Sequence, residues 1–370
     1  MITLFWGCNQ TSNNGGRPYD ESLEILKAQY AKGFSISSIS NGFLIEVYNP
    51  WQGATNIKYR YAFTDDISND GIKGFDEVVN FPVQRVVCLS TTHIAYIDFV
   101  DQTERIVGIS GSELVSNPLV RDGIEKGIIR DVGYEQSLNY ELLVSLKPDV
   151  VFSYGVGAES AGYLQKLKDM KIPVVFIADY LEESPLGKAE WVKVFGAIFG
   201  MYYESERLFS EIEEQYLKVK NSVFGIESKP SVFINLPWKD VWYFPGSQSY
   251  MANLIEDAGG NYIFSSLTGN RSYPFSMEVA IEKGMVADVW INSGTAHTLQ
   301  DIALEFPRLA IIPSFKSGRV YNNNNRTNPT GGNDFWESGV TNPHIILKDL
   351  VKIFYPERID HELVYYKQLQ

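Results

Sequence analysis

The chain has 370 residues, 44% of them hydrophobic and 21% charged, which is length enough to bury more than one core. Forty-five acids against 32 bases leave a formal charge of −13. That balance argues against nucleic-acid binding through a broad basic face.

In chain order, residues 1–18 come first. "LFWG" is a short apolar stub ending in Gly before Cys8, and "NQTSNNGGRP" follows as a flexible tether. Cys8 thereby sits as the lipidated residue does at the end of a lipoprotein signal. Phe5 stands where Leu is usual, so either the signal is truncated or Cys8 is incidental. Residues 19–81 predict a small β element. "FSISSIS" and "FLIEVYNPWQGATNIKYRYAFT" alternate and carry turn signals at Asn41–Gly42, Asn49–Pro50 and Gln52–Gly53.

From Pro82 the rhythm becomes strand–helix. Strands are expected at 85–90, 105–110, 149–154 and 173–178, and helices at 92–100, 139–146 and 158–170. This predicts a parallel α/β lobe over 82–184, with Cys88 as a packed core thiol. Residues 185–228 read as connecting helices. Breaks at Gly196 and Gly200 leave 203–223 as one helix, a rod about 30 Å long. The rhythm resumes over 229–370, with strands at 231–235, 241–246, 288–294 and 319–322. Helices there are expected at 248–258, 276–283 and 299–305, and "NPHIILKDLVKIFYPE" closes the chain as an amphipathic helix.

Two stretches share one plan: "SLNYELLVSLKPDVVFSYG" and "PFSMEVAIEKGMVADVWINSG". Asn139 and Ser276 are good N-caps, which sets Glu141 and Glu278 in first turns. An acid there complements the helix dipole by ~0.3–1 kcal/mol, enough to account for either Glu alone. As a pair, they can present two separated carboxylates on one edge of a bilobed molecule.

Taken together, "RVVCLSTTHIAYIDFV", "DVGYEQSLNYELLVSLKPDVVFSYG", "VWYFPGSQSYMANLIEDAGGNYIF" and "FSMEVAIEKGMVADVWINSG" carry a family likeness. Over residues 82–355 the chain resembles the iron-siderophore and cobalamin class of periplasmic substrate-binding proteins of ABC importers. The version with an extra N-terminal β element is the one found in Bacteroides-type bacteria. The resemblance implies an α/β fold of two Rossmann-like lobes joined by one long rigid helix, and hence a small hinge motion. It implies that Glu141 and Glu278 each dock onto Arg residues of an inner-membrane permease dimer. It further implies a monomer in the Gram-negative periplasm, held to a membrane by lipid on Cys8. No cofactor is intrinsic: the ligand would be a metal complex, namely a ferric siderophore, haem or cobalamin.

In such an architecture the ligand lies between the lobes, against loops at strand ends. N-lobe candidates are His93, Tyr134 and Glu135, with Thr91, Thr92, Ser112, Glu113 and Tyr154 beside them. C-lobe candidates are Trp238, Tyr243, Tyr250 and Arg271, with Trp242, Tyr273 and His297. The loop "VYNNNNRTNPTGGNDFWESG" adds Arg326, Asp334 and Trp336. It is either a surface Ω-type loop or a cleft edge offering amides and an Arg to a polar ligand. His93 or Tyr134 would serve haem, and Arg271 and Arg326 an anionic ferric chelate, while aromatic faces would suit a corrin. Four scattered His residues do not make a bare-metal site. There is also no Gly-x-Ser-x-Gly elbow or phosphate-cradling Gly loop, so an enzyme is not expected. The alternatives are a chelatase-like enzyme on a related bilobed fold and a surface glycan-binding module.

Overall fold

The computed structural model describes residues 24–39, 41–65, 74–134, 137–155 and 161–370; Cys8 and Glu135 lie outside them. Alternation produces the first layer. Strands β1 (Glu24–Leu26), β2 (Phe34–Ile39), β3 (Gly42–Tyr48) and β4 (Lys58–Thr64) form an antiparallel series, and β5 (Glu77–Asn80) adds parallel to β4. Phe34 pairs with Val47 and Ile36 with Ile45, so one face is apolar. On the other face Glu46 meets Lys58 at 2.9 Å and Arg60 at 3.2 Å.

The N-lobe follows as β6 (Val86–Cys88), α1 (Thr91–Phe99), β7 (Ile106–Ile109), α2 (Pro118–Glu125), β8 (Arg130–Asp131), α3 (Tyr140–Leu146), β9 (Val150–Ser153), α4 (Ala161–Asp169) and β10 (Val174–Phe176). Its sheet is parallel, ordered β10-β9-β6-β7-β8. Both faces are covered, which is why its strands read as unbroken apolar runs. Val86 and Cys88 point into the main core, and Val87 into a second cluster with Val151, Leu143 and Leu167.

The connector is α5 (Pro185–Glu190), α6 (Val192–Phe199) and α7 (Tyr202–Ser222). One expectation is corrected here: Gly196 does not break a helix. Helix α6 runs through it to Phe199, and Gly200, at φ 78°, ends it. Gly196 instead permits close packing, since a Cβ there would lie 2.0 Å from Ser205 Oγ. Helix α7 spans the molecule: Tyr202 at its start meets Phe43 of β3, and Tyr216 donates to Asp257 of the C-lobe at 2.7 Å.

The C-lobe comprises β11 (Ser231–Ile234), β12 (Val241–Pro245), α8 (Tyr250–Asp257), β13 (Asn261–Tyr262), β14 (Ser272–Ser276), α9 (Met277–Gly284), β15 (Val289–Ile291), α10 (Leu299–Glu305), α11 (Pro313–Lys316), β16 (Val320–Asn322), α12 (Pro343–Phe354) and β17 (Lys367–Gln368). Its main sheet is ordered β13-β11-β15-β16-β17 and is parallel except for β17, while β12 and β14 form a separate antiparallel ribbon. The two lobes repeat one device. Asp149, just before β9, accepts N–H bonds from Gln84 and Arg85 at the approach to β6. Asp288, just before β15, accepts from Ser231 at the start of β11.

The N-terminal sheet is tied to the connector by two buried carboxylates. Glu190 accepts N–H bonds from Gln29, Tyr30 and Ala31, and Glu182 accepts from Lys32, Gly33 and the Trp191 indole. Trp51 packs edge-on against Phe176 at 5.9 Å, and Phe34 against Trp191 at 4.9 Å. The sheet is therefore built into the N-lobe side of the molecule.

Candidate functional site

In each lobe's main sheet the first strand has the next strand of that sheet on one side and a later one on the other, a switch point that opens a crevice at the strands' carboxyl ends. The structure has a cavity of about 1060 Å³ there, at the upper end of the range for small-molecule pockets. Thr91 follows β6, and Tyr180 and Glu183 follow β10. Asn235, Asn292 and Asn323 follow β11, β15 and β16. Tyr250 and Met251 enter from the start of α8, and Asn270 and Ser272 from the edge of the β12–β14 ribbon. Gln52, on the loop joining β3 to β4, brings the N-terminal sheet into the wall.

Beside the lining residue Lys188, whose Nζ lies 3.8 Å away, Asp179 is buried and accepts from Tyr96 at 3.2 Å. Burial raises the Asp179 carboxyl above its usual range, against the pull of Lys188. The Lys188 ammonium also lies 5.4 Å from the Tyr250 ring centre. Among the described residues, no Arg lines the cavity.

Of the expected ligand residues, Tyr250 and Trp336 line this cavity, as do Thr91 and His297. The others do not. His93 points from α1 into the core between Phe152 and Phe195, at 6.1 and 6.3 Å, with both ring nitrogens unpartnered. Burial pushes its pKa down to about 3, so it is a neutral core side chain. Tyr134 is exposed and donates to Glu113. Trp238 is exposed under Lys239 Nζ, and Tyr243 is exposed on β12. Arg271 stacks on Tyr273 at 4.5 Å, and Arg326 is engaged by Asp334 at 2.8 Å. Both arginines are thus occupied by their own neighbours, and Tyr134, Trp238 and Tyr243 stay exposed outside the cavity lining.

The asparagines were missed. Asn235 and Asn292 each stand directly after a buried strand, in "FIN" and "WIN", and both adopt positive φ (69° and 58°). Non-Gly residues in that region are uncommon and enriched in Asn; the one available signal was the first polar residue after each apolar run.

The Asn-rich loop edges the cavity, but without its Arg, which Asp334 holds elsewhere. Thr327, Gly331, Asn333 and Trp336 edge the cavity. The same loop also clasps the N-lobe: Asn328 Nδ2 donates to the carbonyls of Glu113 and Val115, and Glu337 accepts from the N–H groups of Ser116 and Asn117, both at 2.7 Å. Gly332 permits the approach, since a Cβ would lie 2.2 Å from the Leu114 carbonyl oxygen.

Asn139 caps α3 by accepting from Leu142, and Ser276 caps α9 by accepting from Val279. Glu141 and Glu278 are exposed in the two first turns. Arg308 holds Glu278 at 2.8 Å and lowers its pKa.

Comparison with known proteins follows the same outline. Residues 86–327 match the family model described as periplasmic binding protein. An uncharacterized lipoprotein of Methanocaldococcus jannaschii is 27% identical over 355 residues, covering 90% of this chain and 82% of that protein. The vitamin B12-binding protein of Vibrio parahaemolyticus is 23% identical over 249 residues, covering 67% and 83% respectively. The crystal structure of a periplasmic heme binding protein from Pseudomonas aeruginosa superposes with a TM-score of 0.60 at 16% identity, covering 78% of this chain and 98% of that one.

Proposed function

The chain belongs to the periplasmic binding protein family, and on that premise we propose that it captures a metal complex in the inter-lobe cleft and delivers it to an ABC importer. The observation that carries this reading is the cavity of about 1060 Å³ at the switch points, lined by strand-end loops of both lobes. A ferric siderophore, haem or cobalamin is the ligand class. Relatives named for haem and for vitamin B12 support it, and the family is one of substrate-binding proteins.

Glu141 and Glu278 are the proposed contacts with the two permease subunits. Both are exposed on capped helices at equivalent places in the two lobes. Charges so placed set orientation and on-rate more than affinity. Before docking, Glu278 must exchange Arg308 for an arginine of the permease, which costs little because the pair is solvent-exposed. Cys8 is the proposed lipid attachment, outside the cytoplasmic membrane; the lipoprotein name of the methanogen relative supports it.

Two measurements test the reading. In a thermal-shift series, at least one of a ferric siderophore, haemin and cyanocobalamin should raise the melting temperature; no shift with any of them overturns the ligand class. In a reconstituted importer, the double variant Glu141→Ala/Glu278→Ala should keep its ligand affinity and lose transport. Unimpaired transport would reduce both residues to dipole partners of their helices.

A further inference from the structure

Strands β1–β5 stand outside the family likeness, whose match begins at residue 86. They are nonetheless fixed to the rest of the molecule, with the β1–β2 loop held by Glu182 and Glu190. Where they sit shows what they add.

In the N-lobe sheet β10 is the end strand, and the N-terminal sheet abuts it. Phe176, the last residue of β10, donates its N–H to the buried Tyr61 hydroxyl at 3.1 Å. Tyr59 packs edge-on against the Phe176 ring at 4.9 Å, and Trp51 does so at 5.9 Å. The β3–β4 loop, residues 49–57, is thereby set at the carboxyl end of β10, beside the strand-end loops that line the cavity. Leu114 follows β7, Thr91 follows β6, and Tyr180 and Glu183 follow β10; Gln52 comes next along this row. The loop is braced in that place. Asn49 donates its N–H to the Ile57 carbonyl at 2.8 Å, and its side chain accepts from the Ile57 N–H at 3.1 Å. Ala54 donates to the Trp51 carbonyl at 3.0 Å. A loop so held presents its exposed side chain to a ligand with little further ordering to do.

The same sheet reaches the wall a second time. Lys32, on the β1–β2 loop, pairs with Glu183 at 3.2 Å, and Glu183 accepts from Asn270 of the C-lobe at 3.1 Å. Glu183 and Asn270 both line the cavity. Covering the edge of β10 accounts for Tyr61 and Tyr59, but it requires neither Gln52 in the lining nor Lys32 on a lining carboxylate.

Resting on the transport reading, we propose that the N-terminal sheet forms a third wall of the ligand site and that Gln52 contacts the bound ligand. The two lobes supply the other walls, and the added one closes the cavity at its β10 end.

The test is titration of the intact protein with haemin, cyanocobalamin and a ferric trihydroxamate, in the parent and in two variants at one position. Gln52→Trp sets an indole in the wall and should weaken every probe that binds the parent by about tenfold or more. Gln52→Ala removes the amide and should weaken the tightest of them about threefold or more. Neither should move the melting temperature of the free protein, because Gln52 is exposed on a loop. Affinities within twofold of the parent in both variants overturn the inference and leave the transport reading standing. Weakening by Gln52→Trp without any by Gln52→Ala overturns the amide contact. If none of the three probes binds the parent, the transport reading falls and this inference with it.

Discussion

His93 shows what burial does to a chemically suggestive residue. Its type and its place after β6 made it a candidate haem ligand, yet the ring is sealed among aromatics and its nitrogens bond to nothing. An unfolded imidazole takes up a proton near pH 6.5, the folded one only near about 3. Between those values the unfolded chain binds more protons, so this contribution to stability is present above pH 6.5 and is lost as pH falls. His93→Leu should therefore unfold at a urea midpoint less sensitive to pH between 6.5 and 4 than the parent. An equal slope in both proteins would contradict the burial argument. Glu337 acts with the opposite sign. Burial raises its carboxyl to about 7, although the N–H groups of Ser116 and Asn117 pull it down. Its contribution is present below the ordinary Glu range and is lost as pH rises through 7. Comparing variant with parent at each pH keeps the two effects separate.

At the level of elements, the caps were legible because they are local. Asn139 and Ser276 were identified from three or four consecutive residues, and each accepts the expected N–H bond. Replacing either by Ala should cost about 1 kcal/mol in chemical denaturation, with ligand affinity unchanged. The clasp was not legible. It joins Glu337 to Ser116 and Asn117, more than two hundred positions away, and no periodicity in either segment announces the other. Glu337→Ala strands two backbone donors and should destabilise the protein by about 2–3 kcal/mol. If the unfolding midpoint does not move, water has replaced the carboxylate and the clasp carries little energy.

Across the whole molecule, α7 and the clasp hold the two lobes at several points. X-ray scattering should consequently change little when a saturating ligand is added, and a large drop in the radius of gyration would contradict a small hinge. The N-terminal sheet changes most between sequence and structure. Alternation announced its strands, but the carboxylates of Glu182 and Glu190 lock it to the connector, and the β3–β4 loop takes it to the cleft. Sequence alone determined what depends on neighbours in the chain: strands from apolar runs, helices from their caps, the break at Gly200, and two lobes from a repeated plan. Only the tertiary structure decided which polar residues face the cavity. Exposure of Arg326 or Tyr134, burial of His93, and the convergence of strand-end asparagines all depend on distant segments. A side chain's chemistry can be read from its letter, but its availability is set by what packs against it.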